Sequence, residues 1–213
     1  SNFDHLRSFI LHEPRGHSAM VGVILTESNK ADFGSFFLGS YNYLEMCGHA
    51  TLGLAVTLDY MGLLTPLKRD HFTLEVPAGI IKVFPNYSDN RLISVTIFNV
   101  NSFLAAKDVS INTNGQTVRL DVAYGGNWYA LVKAEDLNLN LVQGEISEAL
   151  RAGTDIKNTL NEKIAKNQIL GLRKKVDSVL FYKTERDNLG LIMKNLVVLD
   201  SNKYDRSPCG TGT

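Results

Sequence analysis

The sequence predicts an α+β fold in which strands are more numerous than helices. Short runs rich in branched and aromatic residues recur along all 213 residues and are separated by Gly, Asn, Asp and Pro, which is typical of strands divided by turns. Only two segments have a helical pattern. A chain of this length can form one large domain or two of about 100 residues each, and either size can bury a core.

Seven runs are predicted to be strands. They cover residues 19–25, 72–76, 92–98, 118–122, 128–132, 176–182 and 191–199. The segment Pro77-Ala78-Gly79 after the second run predicts a turn, because proline and glycine favour turn conformations. Trp128 and Tyr129 are adjacent in the fifth run, so we expect one in the core and the other on the opposite face of the sheet.

Two segments are predicted to be helices. Residues 48–60 (GHATLGLAVTLDY) are apolar around most of the helical circumference, which predicts a helix enclosed by sheet. Residues 154–170 have a candidate N-cap at Thr154 and a stop at Gly171, as a surface helix would. Its apolar residues recur every fourth position and predict one buried stripe, formed by Ile156, Leu160 and Ile164.

Composition excludes several classes of protein. Basic and acidic residues both number 22, so we expect neither nucleic acid nor an anionic membrane as a partner. No apolar run reaches the roughly 18–20 residues of a membrane span, and the start SNFDH lacks the features of a secretory signal. We therefore expect a cytoplasmic protein that acts on a small molecule. Two cysteines form neither a disulfide framework nor a multi-cysteine zinc site.

The chain is predicted to divide into two halves. Residues 102–116 are polar and turn-prone, and we place the boundary between residues 1–103 and 104–213. Each half carries a Cys-Gly-x-small-Thr segment after a strand-like run. These two Cys-Gly segments are Cys47-Gly48-His49-Ala50-Thr51 and Cys209-Gly210-Thr211-Gly212-Thr213. The repetition suggests two half-sites related by a pseudo-twofold axis, although two buried structural cysteines would be the ordinary alternative.

The repeated segment is suited to proton transfer. A cysteine at a helix N-terminus lies at the positive end of the helix dipole, which stabilises its thiolate. The glycine after it allows close approach, so that free backbone N–H groups can hold a carboxylate. Two such segments facing each other would remove a proton from one face of a carbon and deliver one to the other face. The residues alone do not establish that the two segments face each other.

Four motifs resemble those of the proline racemase family, which includes the hydroxyproline 2-epimerases. The Met46–Thr51 segment (MCGHAT) and residues 205–213 (DRSPCGTGT) look like the two signature motifs of that family. Residues 12–17 (HEPRGH), with Met20 after them, and residues 123–129 (AYGGNWY) resemble two more. The four occur in the family's order and extend over essentially the whole chain.

The resemblance implies a fold similar to diaminopimelate epimerase. That fold has two pseudo-symmetric halves, each with a curved and mainly antiparallel sheet around a central helix, and the site lies between them. The resemblance also assigns Cys47 and Cys209 as the acid/base pair and Asp205 as the contact to the substrate ring nitrogen. It assigns the substrate carboxylate to backbone N–H groups at four positions, which are Gly48, His49, Gly210 and Thr211. No pyridoxal phosphate, metal or nucleotide cofactor is expected.

Other residues of the matching segments have less defined roles. His17 is either a pocket wall or a structural histidine with its own hydrogen bonds. Val21 and Ser178 fall at positions that the family uses for substrate choice. Val21 favours 4-hydroxyproline over proline, whereas Ser178 matches neither pattern of the family well and could donate a hydrogen bond to a ring hydroxyl. Glu13 and Arg15 are expected to form an internal ion pair, and two further histidines are expected at the surface, His5 and His71.

Three functions are compatible with this sequence. The first is a racemase or epimerase of the imino acids proline or 4-hydroxyproline. The second is a 3-hydroxyproline dehydratase, which Cys209 argues against because dehydratases of the family usually have threonine there. The third is a non-catalytic carboxylate-binding domain or an inactive fragment. Family members extend further at both ends, so we expect a piece of a longer protein, and the oligomeric state stays open with a homodimer as one option.

Overall fold

The computed structural model describes residues 4–67, 69–169, 171–188, 190–201 and 203–213. The chain forms two compact units, and the division between them lies after Asn101. This position is two residues before the boundary expected from the sequence. Within the described ranges, no helix is long and apolar enough to span a membrane.

The first unit contains one six-stranded sheet with two α-helices. Its elements in chain order are α1 (Asp4–Leu11), β1 (Val21–Thr26), β2 (Phe33–Gly39), β3 (Tyr43–Leu44), α2 (Gly48–Tyr60), β4 (Phe72–Val76), β5 (Gly79–Ser88) and β6 (Arg91–Phe98). The strand order is β1-β2-β4-β5-β6, with β3 paired to β2. All pairs are antiparallel except β2 with β4.

Two predictions for the first unit are confirmed. Helix α2 covers Gly48–Tyr60, the predicted range. The predicted turn at Pro77-Ala78-Gly79 joins β4 to β5, with Val76 paired to Gly79 and Gly79 at φ 140°. A residue with a side chain rarely adopts that φ, so glycine is needed where this hairpin closes.

Helix α2 is not enclosed on every side in the part of the chain that the structure describes. One face is buried against the sheet, through Ala50, Thr51, Leu54, Ala55 and Leu58. Leu52 is 42% exposed and Val56 is 54% exposed on the other side. Within the described residues, the sheet of this unit therefore covers one face of the helix, and the opposite face is partly exposed.

The second unit also contains one six-stranded sheet, with one α-helix. Its elements are β7 (Phe103–Thr113), β8 (Gln116–Tyr124), β9 (Trp128–Lys133), α3 (Ile146–Ala165), β10 (Ser178–Asp187), β11 (Gly190–Asp200) and β12 (Lys203–Tyr204). The strand order is β12-β11-β10-β9-β8-β7. Only β9 and β10 are parallel, and α3 lies between them in sequence. Two mostly antiparallel sheets with packed helices confirm the predicted α+β class.

The interpretation of residues 102–116 as turn-prone is wrong, because most of this segment forms strand β7. This strand lies at the edge of its sheet, and most of its side chains are not buried. Its register with β8 shifts twice, and Asp108 has a positive φ of 53°. An exposed and irregular edge strand has a polar sequence without clear alternation, and the pattern then resembles a loop.

Helix α3 begins eight residues before the predicted N-cap. It covers Ile146–Ala165, so Thr154 lies inside it and donates from Oγ1 to the Leu150 carbonyl at 2.8 Å. Threonine bonds its own helix in this way as readily as it caps one, which explains the wrong start. The helix ends before the predicted range does, and Leu170 lies outside the described residues. The predicted stripe is confirmed, with Ile156, Leu160 and Ile164 all buried.

The two faces of the second sheet carry different apolar clusters, and β9 contributes residues to both. Trp128 packs against the large core that includes α3. Tyr129 faces the other way and belongs to a smaller cluster with Leu180, Val197 and Cys209. The predicted alternation of Trp128 and Tyr129 is confirmed. Cys209 therefore lies on the sheet face opposite α3.

Candidate active site

Cys47 occupies the N-cap of helix α2. Its backbone is extended, at φ −143° and ψ 105°, and its Sγ accepts a hydrogen bond from the Ala50 N–H at 3.5 Å. The Cys47 carbonyl accepts from both the N–H (3.0 Å) and the hydroxyl (2.8 Å) of Thr51. The sulfur therefore satisfies one N–H of the first helical turn, as a serine or aspartate oxygen does at other N-caps.

The surroundings of Cys47 leave room beside the helix N-terminus. Met46 is 1% exposed and anchors the segment in the core of its unit. Cys47 itself is half-buried, and His49 is exposed. Open space lies where a side chain at Gly48 would project. A carboxylate could approach the N–H groups of this first turn at the positive end of the helix dipole.

Cys209 repeats one of these hydrogen bonds in the second unit. Its carbonyl accepts from the Thr213 N–H at 3.0 Å. The Gly212 N–H, three residues after the cysteine, lowers the pKa of its thiol. Two features differ from Cys47. Cys209 has a left-handed backbone with φ 64°, and it is only 6% exposed.

The loop that carries Cys209 is tied to the sheet at its start. The Asp205 N–H donates to the Val197 carbonyl at 2.9 Å. The Asp205 Oδ1 accepts from both the N–H (2.9 Å) and the hydroxyl (2.8 Å) of Ser207. The Ser207 hydroxyl oxygen in turn accepts from the Cys209 N–H at 3.1 Å. These bonds hold Cys209 in a backbone conformation that a residue with a side chain seldom adopts.

Asn195 on β11 ties down the other end of the same loop. Its Nδ2 donates to the Pro208 carbonyl at 3.0 Å and to the Thr213 Oγ1 at 3.2 Å. The Thr213 hydroxyl also donates to the Pro208 carbonyl at 2.5 Å. The loop is therefore fixed on both sides of the cysteine.

Tyr129 is the nearest side-chain hydroxyl to the Cys209 sulfur. The Tyr129 Oη lies 3.5 Å from the Cys209 Sγ and 2.6 Å from the Thr211 Oγ1. Asn127 donates from Nδ2 to the Thr211 Oγ1 at 3.5 Å. A methyl group at Gly212 would lie 3.2 Å from both the Cys209 Sγ and the Tyr129 ring. These residues form a tightly packed polar group on the face of β9 that carries Cys209.

Burial is the main influence on the Cys209 thiol and raises its pKa. The hydrogen bond from Tyr129 acts against burial and lowers the pKa, as does the N–H of Gly212. The negative charge of Asp205 raises it. The pKa of Tyr129 is also raised, first by burial and then by the neighbouring sulfur. The resting state of Cys209 is therefore a protonated thiol at neutral pH.

The comparisons with known proteins agree on one family. The family model described as "Proline racemase" matches residues 1–213. The chain is 35% identical over 218 residues to the proline racemase of Acetoanaerobium sticklandii, covering 100% of this chain and 65% of that protein. The chain belongs to the proline racemase family. It spans less than two thirds of the length of that relative.

Two further relatives show the range of the family. The trans-3-hydroxy-L-proline dehydratase of Bacillus cereus is 31% identical over 216 residues, covering 100% of this chain and 64% of the relative. A crystal structure of a hydroxyproline epimerase from Agrobacterium vitis with bound trans-4-hydroxy-L-proline has a TM-score of 0.84 and 27% identity. That alignment covers 99% of this chain and 62% of the epimerase. The structural similarity supports the predicted epimerase-like fold.

The AYGGNWY motif of the proline racemase family has a packing role here. A methyl group at Gly125 would lie 2.4 Å from the Thr211 carbonyl oxygen, so only glycine lets the Cys209 loop lie this close. Gly126 has φ 99°, which bends the chain into β9. The motif places Tyr129 beside the Cys209 sulfur and Asn127 beside Thr211. Sequence analysis assigned Tyr129 a face of the sheet but gave its hydroxyl no role.

The HEPRGH motif folds into a turn after α1. The Gly16 N–H donates to the His12 carbonyl at 2.9 Å, and the His12 ring nitrogen Nε2 lies 2.7 Å from the Ser40 carbonyl oxygen. The predicted Glu13–Arg15 ion pair is wrong. Arg15 instead donates to the Phe9 carbonyl and places its guanidinium 3.5 Å from the centre of the Phe9 ring.

The remaining histidines differ in exposure. His17 is exposed, and its Nδ1 accepts from the Ala19 N–H at 3.2 Å. His5 is exposed as predicted. His71 was predicted at the surface but is half-buried, because its ring stacks on Phe84 with centroids 4.9 Å apart. Its Nδ1 also contacts the Asp70 carboxylate at 2.7 Å.

The two candidate specificity residues lie in different units. Val21 begins β1 and is half-buried. Ser178 begins β10, is 4% exposed and pairs with Tyr129 across the parallel register. Paired residues point to the same face of a sheet, so Ser178 lies on the Cys209 side. Within the described ranges, no group of three or more His, Cys, Asp or Glu side chains could hold a metal ion.

Proposed function

We propose that the full-length protein inverts the α-carbon of proline or 4-hydroxyproline by proton transfer between two thiols. The observation that carries this proposal is the repeated backbone arrangement around the two cysteines. Each cysteine carbonyl accepts from the N–H of the threonine four residues later. The backbone N–H three residues after each cysteine also acts on its sulfur, because the Ala50 N–H donates to the Cys47 Sγ and the Gly212 N–H lowers the pKa of Cys209. Each unit therefore presents a sulfur beside backbone donors that suit a carboxylate.

The proposed reaction uses one sulfur as base and the other as acid. For one enantiomer the Cys47 thiolate takes the α-proton, and the Cys209 thiol gives a proton to the opposite face. For the other enantiomer the roles reverse. The charge that develops on the substrate carboxylate is stabilised by N–H groups at Gly48, His49, Gly210 and Thr211. This requires the two cysteines to face opposite sides of the same carbon.

Asp205 is the proposed partner of the substrate nitrogen. The ring nitrogen of a protonated imino acid carries two N–H donors and a positive charge, and a carboxylate pairs with both features. Ser207 holds one oxygen of Asp205 through two hydrogen bonds, which fixes its direction. The Asp205 charge raises the pKa of Cys209; a cationic substrate nitrogen would offset that charge and favour the thiolate when substrate binds.

The alternative functions make different demands on Cys209. A dehydratase removes a proton from one face and expels a hydroxyl group, so a single base is enough. A carboxylate-binding domain needs the N–H donors but no second sulfur. The second cysteine, with its own backbone donor and its buried tyrosine neighbour, favours the two-thiol reaction over both.

We propose 4-hydroxyproline as the better substrate. Val21 is small enough to leave space for a ring hydroxyl, and Ser178 places a buried hydroxyl on the Cys209 face of the sheet. Ser178→Ala should lower kcat/KM for trans-4-hydroxy-L-proline ~10-fold, the size of one lost hydrogen bond, and leave kcat/KM for L-proline nearly unchanged. Equal losses for the two substrates would contradict this role of Ser178.

The proposed function is tested with the purified full-length protein and single enantiomers. Chiral chromatography should show D-proline formed from L-proline and the 2-epimer formed from trans-4-hydroxy-L-proline, with no pyridoxal phosphate added and with a chelator present. Alkylation of the cysteines should abolish both conversions. Loss of water from 3-hydroxyproline without inversion of either substrate would instead identify a dehydratase.

A further inference from the structure

The hydroxyl of Tyr129 distinguishes the Cys209 site from the Cys47 site. Tyr129 is 4% exposed, and its Oη lies within hydrogen-bonding distance of both the Cys209 Sγ (3.5 Å) and the Thr211 Oγ1 (2.6 Å). The sulfur itself is buried, so water has little access to it. A thiolate formed there depends on protein donors for stabilisation.

The polar atoms around Tyr129 allow a chain of hydrogen bonds that ends at the sulfur. The Asn127 amide donates to the Thr211 hydroxyl oxygen, and the Thr211 O–H can donate to the Tyr129 Oη at 2.6 Å or to the Cys209 Sγ at 4.0 Å. The shorter contact favours Tyr129, whose O–H can then donate to the Cys209 sulfur. Consecutive hydrogen bonds of one direction strengthen each other in a buried setting.

Tyr129 is a donor that keeps its proton. Burial raises its pKa, and the charge of the Cys209 sulfur raises it further. A phenol that ionised more easily would compete with Cys209 for the negative charge. This one stays neutral across the range in which a thiol titrates.

We propose that Tyr129 is a positioning residue for Cys209, whose phenol O–H donates to the sulfur whenever that sulfur is a thiolate. The inference rests on the proposed function, because it assigns Tyr129 to one half of the two-thiol reaction. When the Cys209 thiolate takes the α-proton, the S–H bond forms, the substrate carbon keeps the electron pair, and the Tyr129 proton stays on oxygen. When Cys209 gives its proton to the substrate carbon, a thiolate remains, and the Tyr129 O–H donates a hydrogen bond to it.

Among the described residues, three titratable side chains act on the Cys209 sulfur or belong to its apolar cluster. Tyr129 belongs to β9, Tyr182 belongs to β10 and packs against the same cluster, and Asp205 precedes the loop. Asp205 raises the pKa of Cys209, whereas the Tyr129 hydrogen bond lowers it. Tyr182 provides a matched control, since it is a half-buried tyrosine of the same cluster.

The test measures the titration of Cys209 without turnover. In the full-length Cys47→Ser protein, the rate of iodoacetamide modification of Cys209 is followed against pH, with and without Tyr129→Phe. Loss of the donor should raise the apparent pKa of Cys209 by at least about half a unit, so that modification near pH 8 slows ~3-fold or more. Tyr182→Phe in the same background should leave the profile unchanged.

Several results would overturn the inference. If Tyr129→Phe leaves the pH profile of Cys209 modification unchanged, Tyr129 does not donate to the sulfur. Equal shifts of the apparent pKa of Cys209 in Tyr129→Phe and Tyr182→Phe would indicate a general effect of lost polarity. If Tyr129→Phe does not fold, Thr211→Val decides the matter. It removes the donor behind Tyr129 and should raise the same pKa by a smaller amount, whereas no change would contradict the chain.

The outcome is independent of the proposed function as a whole. Iodoacetamide reports the Cys209 thiolate whether or not the protein inverts an imino acid. A protein without inversion activity but with the predicted Tyr129→Phe shift would refute the proposed function and leave the Tyr129–Cys209 interaction standing. In an active protein with Cys47 intact, Tyr129→Phe should slow α-deuterium exchange mainly for the enantiomer that Cys209 deprotonates.

Discussion

The two Cys-Gly segments have similar backbone contacts but different surroundings. In both, the cysteine carbonyl accepts from the N–H of the threonine four residues later, at 3.0 Å. The N–H three residues after Cys47 donates to its sulfur, and the corresponding N–H of Gly212 lowers the pKa of Cys209. Cys47 is half-buried at the start of a 13-residue helix. Cys209 is buried, and its sulfur lies 3.5 Å from the Tyr129 hydroxyl. One short motif therefore gives two thiols with different access to water.

The proposed reaction would make use of this difference. Burial raises the pKa of Cys209, so this sulfur holds its proton at neutral pH, and the proposal makes it the acid. Cys47 lies at the positive end of the α2 dipole, where the proposal places the base. A pair with one protonated and one ionised sulfur is what a two-base inversion needs before substrate binds.

The largest expected effect comes from removing either sulfur. Cys47→Ser and Cys209→Ser should each lower the rate of inversion by about 10³-fold or more in both directions, because each turnover uses one group as base and the other as acid. The rates are measured by chiral chromatography from each enantiomer in turn. A serine variant that keeps the wild-type rate of inversion would show that its sulfur is not one of the two transferring groups.

A smaller effect is expected from filling the space at Gly212. Its counterpart in the first segment is Ala50, which already carries a methyl group. A methyl group at Gly212 would crowd the Leu180 side chain at 3.1 Å and the Cys209 sulfur at 3.2 Å. Gly212→Ala should therefore displace the sulfur and lower kcat ~10- to 100-fold, with a loss of about 1–3 kcal/mol in unfolding free energy.

The matched control for that change is Gly53→Ala. Gly53 lies inside α2, and open space surrounds the position of its absent methyl group. Replacement should leave kcat unchanged and raise the unfolding free energy by about 0.5–1 kcal/mol, because alanine favours the helix. Similar losses of kcat in Gly212→Ala and Gly53→Ala would contradict the crowding argument.

The order of thiol modification should follow the difference in burial. At about pH 8 iodoacetamide should modify Cys47 ~10-fold faster than Cys209, because a buried thiol with a raised pKa presents less thiolate. Mass spectrometry of the two cysteine-containing peptides measures the ratio. Faster modification of Cys209 would reverse the assignment of the protonated sulfur.

The smallest effect is a change of stability with pH. The pKa of Cys209 is higher in the folded protein than in the unfolded chain, so its contribution is complete below the unfolded thiol's pKa of about 8.5 and is lost as pH rises through the folded value. Each unit of that difference corresponds to ~1.4 kcal/mol. The pKa of Tyr129 is also raised in the folded protein, so its ionisation lowers the unfolding free energy in the same way at higher pH.

Urea unfolding at neutral and alkaline pH measures this effect. Wild type and Cys47→Ser should both lose unfolding free energy on the alkaline side of about pH 8.5, and Cys209→Ser should lose less, because serine does not ionise. Equal alkaline losses in the two serine variants would mean that the burial of Cys209 does not perturb its titration.

Sequence patterns predicted the elements whose side chains alternate or repeat clearly. Helix α2 and the buried stripe of α3 follow from apolar periodicity. The turn after β4 follows from proline and glycine, but β5 itself was not predicted. Strand β7 was missed because it is an exposed edge strand with shifts in register. The start of α3 was missed because Thr154 bonds within the helix instead of capping it.

The candidate site was predictable only in part, for a similar reason. The repeated Cys-Gly segments are local in sequence, so the cysteines could be recognised directly. The contact of Tyr129 with Cys209 joins residues 80 positions apart, and no local pattern encodes it. The half-burial of His71 likewise depends on Phe84 in the neighbouring strand. Contacts between distant segments are fixed by tertiary packing, which periodicity does not report.

The most direct test of the two-thiol account is α-deuterium exchange by the two serine variants. In deuterated solvent, each full-length variant is given L-proline and D-proline separately, and deuterium at the α-carbon is measured by NMR. The surviving sulfur needs no partner to remove a proton from its own face, so Cys47→Ser and Cys209→Ser should exchange opposite enantiomers. If both variants exchange the same enantiomer, or if either still racemises proline fully, the assignment of Cys47 and Cys209 as opposed bases is contradicted.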